Sequence, residues 1–260
     1  MLKTDKLSYR INDFYLVKDV TSDFNPREFV VIMGQNGAGK STLLRLLARS
    51  LSPSEGNVFL NDKDIKDFSE LELAKIRAVL SQHYDVSFPL TVEEIIMMGR
   101  YPYFKTSPAV KDWEIISAAI KLLQIQNFKE RNYNTLSGGE SQKVQFARVL
   151  SQIWEDSNFP SRILLLDEPV SNLDLHFQHE ILRIAKSYIH HNMIVIAVLH
   201  DINLALNYAD RILFMKAGEL RYNYDIKDEL NKEMIEDVFN VKVKIIENPV
   251  NNKPLVIINE

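Results

Sequence analysis

The sequence predicts an α/β fold in which a mostly parallel sheet is covered by helices. The strongest observation is a phosphate-binding loop, G-x-x-x-x-G-K-[ST], at residues 34–41, because this loop joins a buried strand to a helix. Two further apolar runs of strand length lie at residues 162–166 and 193–199, each after a stretch of helical periodicity. Buried strands that alternate with helices pair in parallel, so we expect one sheet that includes the strand before the loop.

Composition indicates an ordinary globular protein. The chain has 260 residues, 46% of them hydrophobic and 25% charged, which is enough apolar material for a large core. Its 31 Lys and Arg against 35 Asp and Glu give a formal net charge of −4, without the basic excess of a nucleic-acid-binding protein. The sequence has no Cys, which excludes disulfides, thiolate metal sites and cysteine nucleophiles. We therefore expect no nucleic-acid partner.

The chain is also expected not to cross a membrane by itself. Its first residues lack the apolar core of a signal peptide. The longest uninterrupted apolar run, residues 193–199, is far shorter than the roughly 20 residues of a membrane-spanning helix.

The phosphate-binding loop predicts a nucleotide site. Residues 29–33 form the predicted strand before it, and residues 41–49 form the predicted helix after it. Backbone N–H groups of such a loop surround the phosphates, the Lys reaches the β and γ oxygens, and the hydroxyl contacts Mg²⁺. The predicted nucleotide-binding residues are Gly34, Gln35, Asn36, Gly37, Ala38, Gly39, Lys40, Ser41 and Thr42, with Ser41 also a magnesium ligand.

A second anion site is predicted about a hundred residues later. Leu136 is followed by Ser137, Gly138, Gly139 and Glu140 at the start of a helical pattern, where unpaired backbone N–H groups attract anions. The chain therefore has two anion sites but one nucleotide-binding loop.

Polar residues at predicted strand ends supply candidate catalytic groups. Asp167 and Glu168 follow an apolar strand, and because strand residues alternate faces, Asp167 suits Mg²⁺ while Glu168 suits water activation. Gln82 carries a neutral amide that can contact Mg²⁺ or its water. His200 ends the strand at 193–199 and can hold a γ-phosphate oxygen. Taken singly, each of these residues is more typical of a solvated surface or strand end, and the assignment depends on their occurring together.

The remaining segments predict two smaller units. Residues 1–28 and 56–62 read as antiparallel strands of a side sheet. Between Gln82 and the second anion site, residues 92–98 and 113–123 have helical spacing and form a predicted insert. The tail from residue 223 contains a predicted helix at 232–239 and strands at 241–246 and 255–258.

The order of these motifs resembles the ATP-binding cassette family, the nucleotide-hydrolysing subunits of ABC transporters, over about residues 1–222. The resemblance implies a RecA-like P-loop NTPase core with an antiparallel β subdomain and an inserted helical subdomain at about residues 83–158. Residues 1–222 would then form the ATPase domain, and residues 223–260 a small C-terminal extension.

By this resemblance the cofactors are ATP and Mg²⁺, and the four catalytic residues are Glu168 as the base, His200 as the switch histidine, Gln82 and Asp174. Asp167 and Gln82 join Ser41 as magnesium ligands. Two subunits meet head to tail, so Ser137, Gly138 and Gly139 of one close over the ATP held by the other.

The family's assembly and location follow from the same resemblance. The expected partners are a second copy of the chain, two transmembrane permease subunits and, indirectly, an extracytoplasmic substrate-binding protein. The expected location is the cytoplasmic face of the inner membrane. A non-transport ABC ATPase and a regulatory nucleotide-binding module are the alternatives.

Residues 88–94 and 99–102 resemble the helical subdomain of importers for iron chelates, haem and vitamin B12. Extra residues near 154–160 resemble the haem import branch, with siderophore or vitamin B12 import as the alternative. Where relatives stack an aromatic ring on adenine, this chain has Ile11, close to Tyr9, Phe14 and Tyr15.

Overall fold

A computed structural model describes residues 1–82, 86–155, 160–171 and 173–259, without the side chain of His191. The strands in these ranges are β1 Leu2–Ile11, β2 Phe14–Phe24, β3 Glu28–Met33, β4 Glu55–Leu60, β5 Lys63–Asp64, β6 Arg77–Leu80, β7 Arg162–Asp167, β8 Met193–Val198, β9 Arg211–Lys216, β10 Glu219–Asp225, β11 Lys242–Glu247 and β12 Pro254–Asn259. The α-helices are α1 Lys40–Leu47, α2 Glu70–Ile76, α3 Val92–Met97, α4 Val110–Leu122, α5 Gly138–Gln152, α6 Leu175–Ser187, α7 Ile202–Tyr208 and α8 Lys232–Phe239.

The central sheet has the strand order β10-β9-β3-β8-β7-β6. All neighbouring strands pair in parallel except β9 and β10, which are antiparallel. Every residue of β7 and β8 is buried, which explains their continuous apolar sequences, because helices cover both faces of a parallel sheet. The predicted α/β class is confirmed. The sequence analysis did not identify β6 and β9, which complete the sheet beside β7 and β3.

The predicted side sheet is present as four antiparallel strands in the order β2-β1-β4-β5. Its inward residues, among them Leu7 and Val20, pack with Leu43 of α1 and with Val30 and Ile32 of β3. This layer holds the strand and the helix on either side of the phosphate-binding loop.

The helical insert lies between β6 and β7 and consists mainly of α3, α4 and α5. The helix predicted at 92–98 is α3 with the start of a 3-10 helix, Met98–Tyr103. The helix predicted from residue 113 begins earlier, at Val110. Its first two residues, Val110 and Lys111, are exposed and show no apolar pattern, so no signal in the sequence indicated this start. Residues 83–85 and 156–159, which include both expected ends of the insert and most of the segment that resembles the haem branch, lie outside the described residues.

Residue 222, the expected end of the ATPase domain, falls inside β10. That strand pairs with β9 as far as Asp225. The sheet therefore includes the first three residues of the C-terminal extension, residues 223–260. The rest of the extension contains α8 and the antiparallel pair β11–β12. Among the described residues, no helix combines the length and the apolar character needed to span a bilayer.

Candidate active site

The phosphate-binding loop lies between β3 and α1 and is pressed against two neighbouring strands. A Cβ atom on Gly34 would lie 2.3 Å from the Met215 carbonyl oxygen, and one on Gly39 would lie 2.2 Å from that of Leu16. Gly39 also has φ 93°, a left-handed conformation that glycine adopts without strain. These contacts require glycine at both positions and set the loop at the carboxyl edge of the sheet.

Lys40 is the first residue of α1 and reaches back over the loop. Its Nζ donates to the carbonyl oxygens of Gly34 and Gln35, both at 2.9 Å. Burial lowers the pKa of Lys40, and the nearby Glu168 and Asp167 act in the opposite direction. The buried ammonium group is thus close to the loop that would hold phosphate charge.

Ser41 and Asp167 form the candidate magnesium site. The Ser41 hydroxyl donates to Oδ1 of Asp167, the last residue of β7, at 2.9 Å. Burial raises the pKa of Asp167, and the Ser41 hydrogen bond opposes that change. One hydroxyl and one carboxylate fit Mg²⁺, which binds few protein oxygens and keeps water and phosphate as its other ligands.

Glu168 contacts two of the other predicted catalytic residues, His200 and Gln82. Glu168 Oε1 lies 2.7 Å from His200 Nε2, and Gln82 Nε2 donates to Glu168 Oε2 at 2.8 Å. The contacts arise because β6, β7 and β8 are adjacent and parallel, so residues after their carboxyl ends lie side by side. Gln82 therefore contacts Glu168. The structure gives no contact from Gln82 to Ser41 or Asp167.

Sequence reasoning missed the residues that hold Glu168. The backbone of Glu168 has φ 51°, a left-handed conformation that is strained for a residue with a side chain. Gln142 Nε2 donates to the carbonyl oxygens of Glu168 and Pro169 at 3.2 and 2.7 Å, and Ser171 Oγ donates to Glu168 O at 2.9 Å. Only the packing of α5 against this turn identifies Gln142.

The predicted second anion site lies at the N-terminus of α5. Ser137 is the N-cap, and its backbone N–H donates to Glu140 Oε2 at 2.8 Å in a capping box. This backbone bond, followed by the bond from the Ser137 hydroxyl, lowers the pKa of Glu140. A Cβ on Gly138 would meet nothing within 4 Å, so the turn is open to an external group.

Asp174 lies across a cleft from this turn. It caps α6 by accepting from Phe177 N at 3.0 Å, and the cleft of about 590 Å³ is lined by Ser137, Asp174 and Lys143 among others. Lys143 Nζ lies 2.8 Å from the centre of the Phe177 ring. Among the described residues, no hydrogen bond or ion pair joins residues 137–139 to the loop at 34–42. Asn172, two residues before Asp174, lies outside the described residues.

A family model and curated protein sequences both match this chain. A family model described as ABC transporter matches residues 17–171. The hemin import ATP-binding protein HmuV of Gloeobacter violaceus is 40% identical over 257 residues, covering 99% of this chain and 94% of that protein. The protein of the same name from Escherichia coli O157:H7 is 37% identical over 260 residues, covering 100% of both.

Solved structures show the same fold. One is described as an inward-facing conformation of a putative metal-chelate type ABC transporter. It has a TM-score of 0.82 at 23% identity, and the match covers 100% of this chain and 97% of that one. A dimeric ATP-binding cassette in a post-hydrolysis state with ADP and phosphate has a TM-score of 0.75 at 27% identity, covering 88% and 100%.

Proposed function

The chain belongs to the ABC transporter family, and from that premise we propose that it is the ATP-hydrolysing subunit that powers import of haem or a related iron chelate through a membrane permease. It is an ABC-type ATPase that binds ATP. The observation that carries the proposal is the convergence of His200 and Gln82 on Glu168, at the sheet edge that also holds Lys40 and the Ser41–Asp167 pair.

The first role of the chain is to bind the triphosphate. Residues 34–42 surround the phosphates with backbone N–H groups, and Lys40 exchanges its carbonyl partners for the β and γ oxygens. Ser41, Asp167 and Gln82 are the proposed residues around Mg²⁺, which supplies charge neutralisation when bound. Among them, Asp167 contributes the one carboxylate.

Glu168 is the proposed general base. Its Oε1 contacts His200 and its Oε2 accepts from Gln82, and each oxygen keeps a further lone pair that can accept a proton from the attacking water. A γ-phosphate offers His200 an alternative acceptor. Catalysis would then depend mainly on placement and charge stabilisation.

Two copies of the chain are proposed to share each nucleotide. Ser137, Gly138 and Gly139 form an open helix N-terminus that has no contact with the chain's own phosphate-binding loop among the described residues, and such a terminus favours anions. A head-to-tail pair would place this turn, with Asp174 nearby, against the ATP of the other copy. The solved cassette with 27% identity is a dimer bound to ADP and phosphate, which supports the pairing of two copies.

The proposed assembly contains two ATPase subunits at the cytoplasmic face of the membrane, two transmembrane permease subunits and a substrate-binding protein outside. Haem is preferred as the cargo because curated relatives that match nearly the full chain are named for hemin import. A siderophore or vitamin B12 remains the alternative cargo.

The decisive experiment uses Glu168→Gln, which removes the base and keeps the size of the side chain. We expect the variant to bind ATP, to lose turnover by at least about a hundredfold, and to form a dimer that persists only with ATP and magnesium, measured by light scattering after size-exclusion chromatography. Wild-type protein under the same conditions is the control. A monomeric variant with full activity would refute the role of Glu168 and the shared site.

The cargo is tested separately with the permease. In vesicles that contain the complete complex, haem with its binding protein should raise the rate of phosphate release, and a siderophore or vitamin B12 should leave it unchanged. Stimulation by either of the other two alone would replace haem as the cargo without affecting the ATPase assignment.

A further inference from the structure

The C-terminal extension contacts the candidate active site at two places. The first is the phosphate-binding loop, where Gln35 Nε2 donates to the carbonyl oxygen of Phe239 at 3.0 Å. Phe239 is the last residue of α8, so its carbonyl has no partner further along the helix. Position 35 is a variable position of the loop motif, so its side chain is free to serve a contact outside the phosphate site.

Helix α8 also forms hydrogen bonds to the central sheet. Lys216 Nζ, at the end of β9, donates to the backbone carbonyl and to the Oδ1 of Asp237, both at 2.7 Å. The ring of Phe239 packs edge-on against Phe214 at 6.3 Å. The extension therefore has a defined position relative to the loop.

The second contact lies on the side of His200 and is made by Asn203 in α7. The Asn203 side chain accepts from Val256 N at 2.9 Å through Oδ1 and donates to Val256 O at 3.1 Å through Nδ2. The amide thus satisfies both backbone groups of one β12 residue, as a neighbouring strand would. Val256 is buried, where an unpaired backbone group is costly.

The turn between β11 and β12 contacts the other end of α7. Lys253 Nζ donates to the carbonyl oxygen of Asn207 at 2.6 Å, in the last turn of α7. This helix has only seven residues and begins immediately after Asp201, its N-cap, which follows His200. Any shift of α7 is therefore transmitted through one residue to the imidazole that contacts Glu168.

We propose that Asn203 is a positioning residue for ATP hydrolysis, because its amide joins α7 to β12 and lets the C-terminal extension hold His200 at the Glu168 carboxylate. The proposal rests on the proposed function, since it requires that His200 act in hydrolysis. Asn203 does not touch the reacting atoms. Its effect depends on geometry, and displacements of about 1 Å at a catalytic group can lower a rate up to about a hundredfold.

The test is a double-mutant cycle with the full-length chain in its complex with the permease. Asn203→Ala should lower kcat for ATP roughly five- to tenfold and leave the ATP affinity within about twofold, because the phosphate-binding loop keeps its own contacts. In a His200→Ala background the same change should have no further effect on kcat, since the group that it positions is gone.

A purely structural role gives a different result. If Asn203→Ala lowers kcat by the same factor with and without His200, or leaves kcat unchanged in the otherwise wild-type chain, the proposal is wrong. Should Asn203→Ala not yield folded protein, Lys253→Met decides the question in the same cycle, because it removes the bond to the end of α7 and keeps an aliphatic side chain. Lys244→Met, at an exposed position of β11, is the matched control and should behave as wild type.

Failure of the proposed function is recognised independently. If His200→Ala retains wild-type turnover, or if the wild-type complex does not hydrolyse ATP, the catalytic assignment itself fails. If His200→Ala is impaired and Asn203→Ala is not, only the positioning role is lost.

Discussion

Glu168 shows how one residue combines a chemical task with a local conformational cost. Its left-handed backbone is held by hydrogen bonds to its carbonyl oxygen from Gln142 and Ser171. Conformations of this kind cost about 1–3 kcal/mol and persist where surrounding contacts impose them. The turn directs the carboxylate towards both His200 and Gln82, which an extended continuation of β7 would not do.

The glycines of the phosphate-binding loop make a residue-scale prediction. Gly39→Ala should lower the free energy of unfolding by roughly 3 kcal/mol or more, because it adds both left-handed strain and a clash with the Leu16 carbonyl. Gly37→Ala is the matched control. Its φ is also positive, at 78°, but a Cβ there meets nothing within 4 Å, so we expect a loss of about 1 kcal/mol.

The measurement is urea-induced unfolding of the nucleotide-free chain. Equal losses for the two variants would mean that contact with Leu16 does not restrict the loop.

At the scale of elements, three helices in the described part of the chain begin with a capping box in which Ser or Thr is the N-cap. Ser69, Thr91 and Ser137 cap α2, α3 and α5, each paired with a glutamate three residues later. The identical local chemistry makes it possible to separate the structural role of Ser137 from its proposed role towards the partner's ATP.

Ser69→Ala and Ser137→Ala should each cost about 1 kcal/mol of stability through the lost cap. Only Ser137→Ala should lower ATP turnover, roughly a hundredfold, because it also removes a donor to the transferred phosphate. Thermal unfolding and phosphate release measure the two effects. Similar turnover in both variants would show that the serine of α5 acts as a helix cap alone.

The segment at 99–102 also acts at the scale of elements. A Cβ on Gly99 would lie 2.2 Å from the Arg148 carbonyl oxygen, so glycine permits the close approach of α5. Arg100 is 1% exposed and donates to Asp112 Oδ1 at 2.8 Å, Ser151 O at 2.8 Å and Glu155 Oε2 at 2.6 Å. Gly99 and Arg100 therefore form a buried contact that joins this segment to α4 and α5.

Arg100→Met should destabilise the chain by about 3–5 kcal/mol, because it leaves the buried carboxylate of Asp112 without its cation. Lys111→Met is the control. It removes an exposed cation that also pairs with Glu155, and exposed pairs contribute about 0–1 kcal/mol. Chemical denaturation measures the free energy of unfolding of both variants. Equal losses would contradict a structural role for the buried Arg100.

At the scale of the whole molecule, head-to-tail pairing predicts complementation between inactive chains. Lys40→Ala disables the phosphate-binding loop and Ser137→Ala disables the turn offered to the partner, so either variant alone has no intact site. A mixed pair contains one site built from the intact loop of one copy and the intact turn of the other. We expect the mixture to recover measurable ATP turnover.

Phosphate release is followed while the ratio of the two variants is changed, and turnover should be highest near equal amounts. If mixed pairs are shown to form by differential labelling and yet no ratio restores turnover, the two motifs do not share a nucleotide across the interface.

Much of this architecture was predictable because its signals are local. The phosphate-binding loop, the buried strands β7 and β8 and the helix α8 follow from short-range patterns, and the structure has them where the patterns indicated. The strand β6 was missed because four residues carry too little periodicity. The strand β10 was not predicted either, because it depends on pairing with β9.

The amino-acid sequence alone determined which chemical groups are present and the local conformations that hold them, since loop, cap and strand preferences act over a few residues. Only the tertiary structure decided that Gln82 and His200 meet at Glu168, that Gln142 supports it, and that Asn203 joins α7 to β12. The physical reason is that strand order and helix packing bring together residues far apart along the chain, and no local preference encodes those distances.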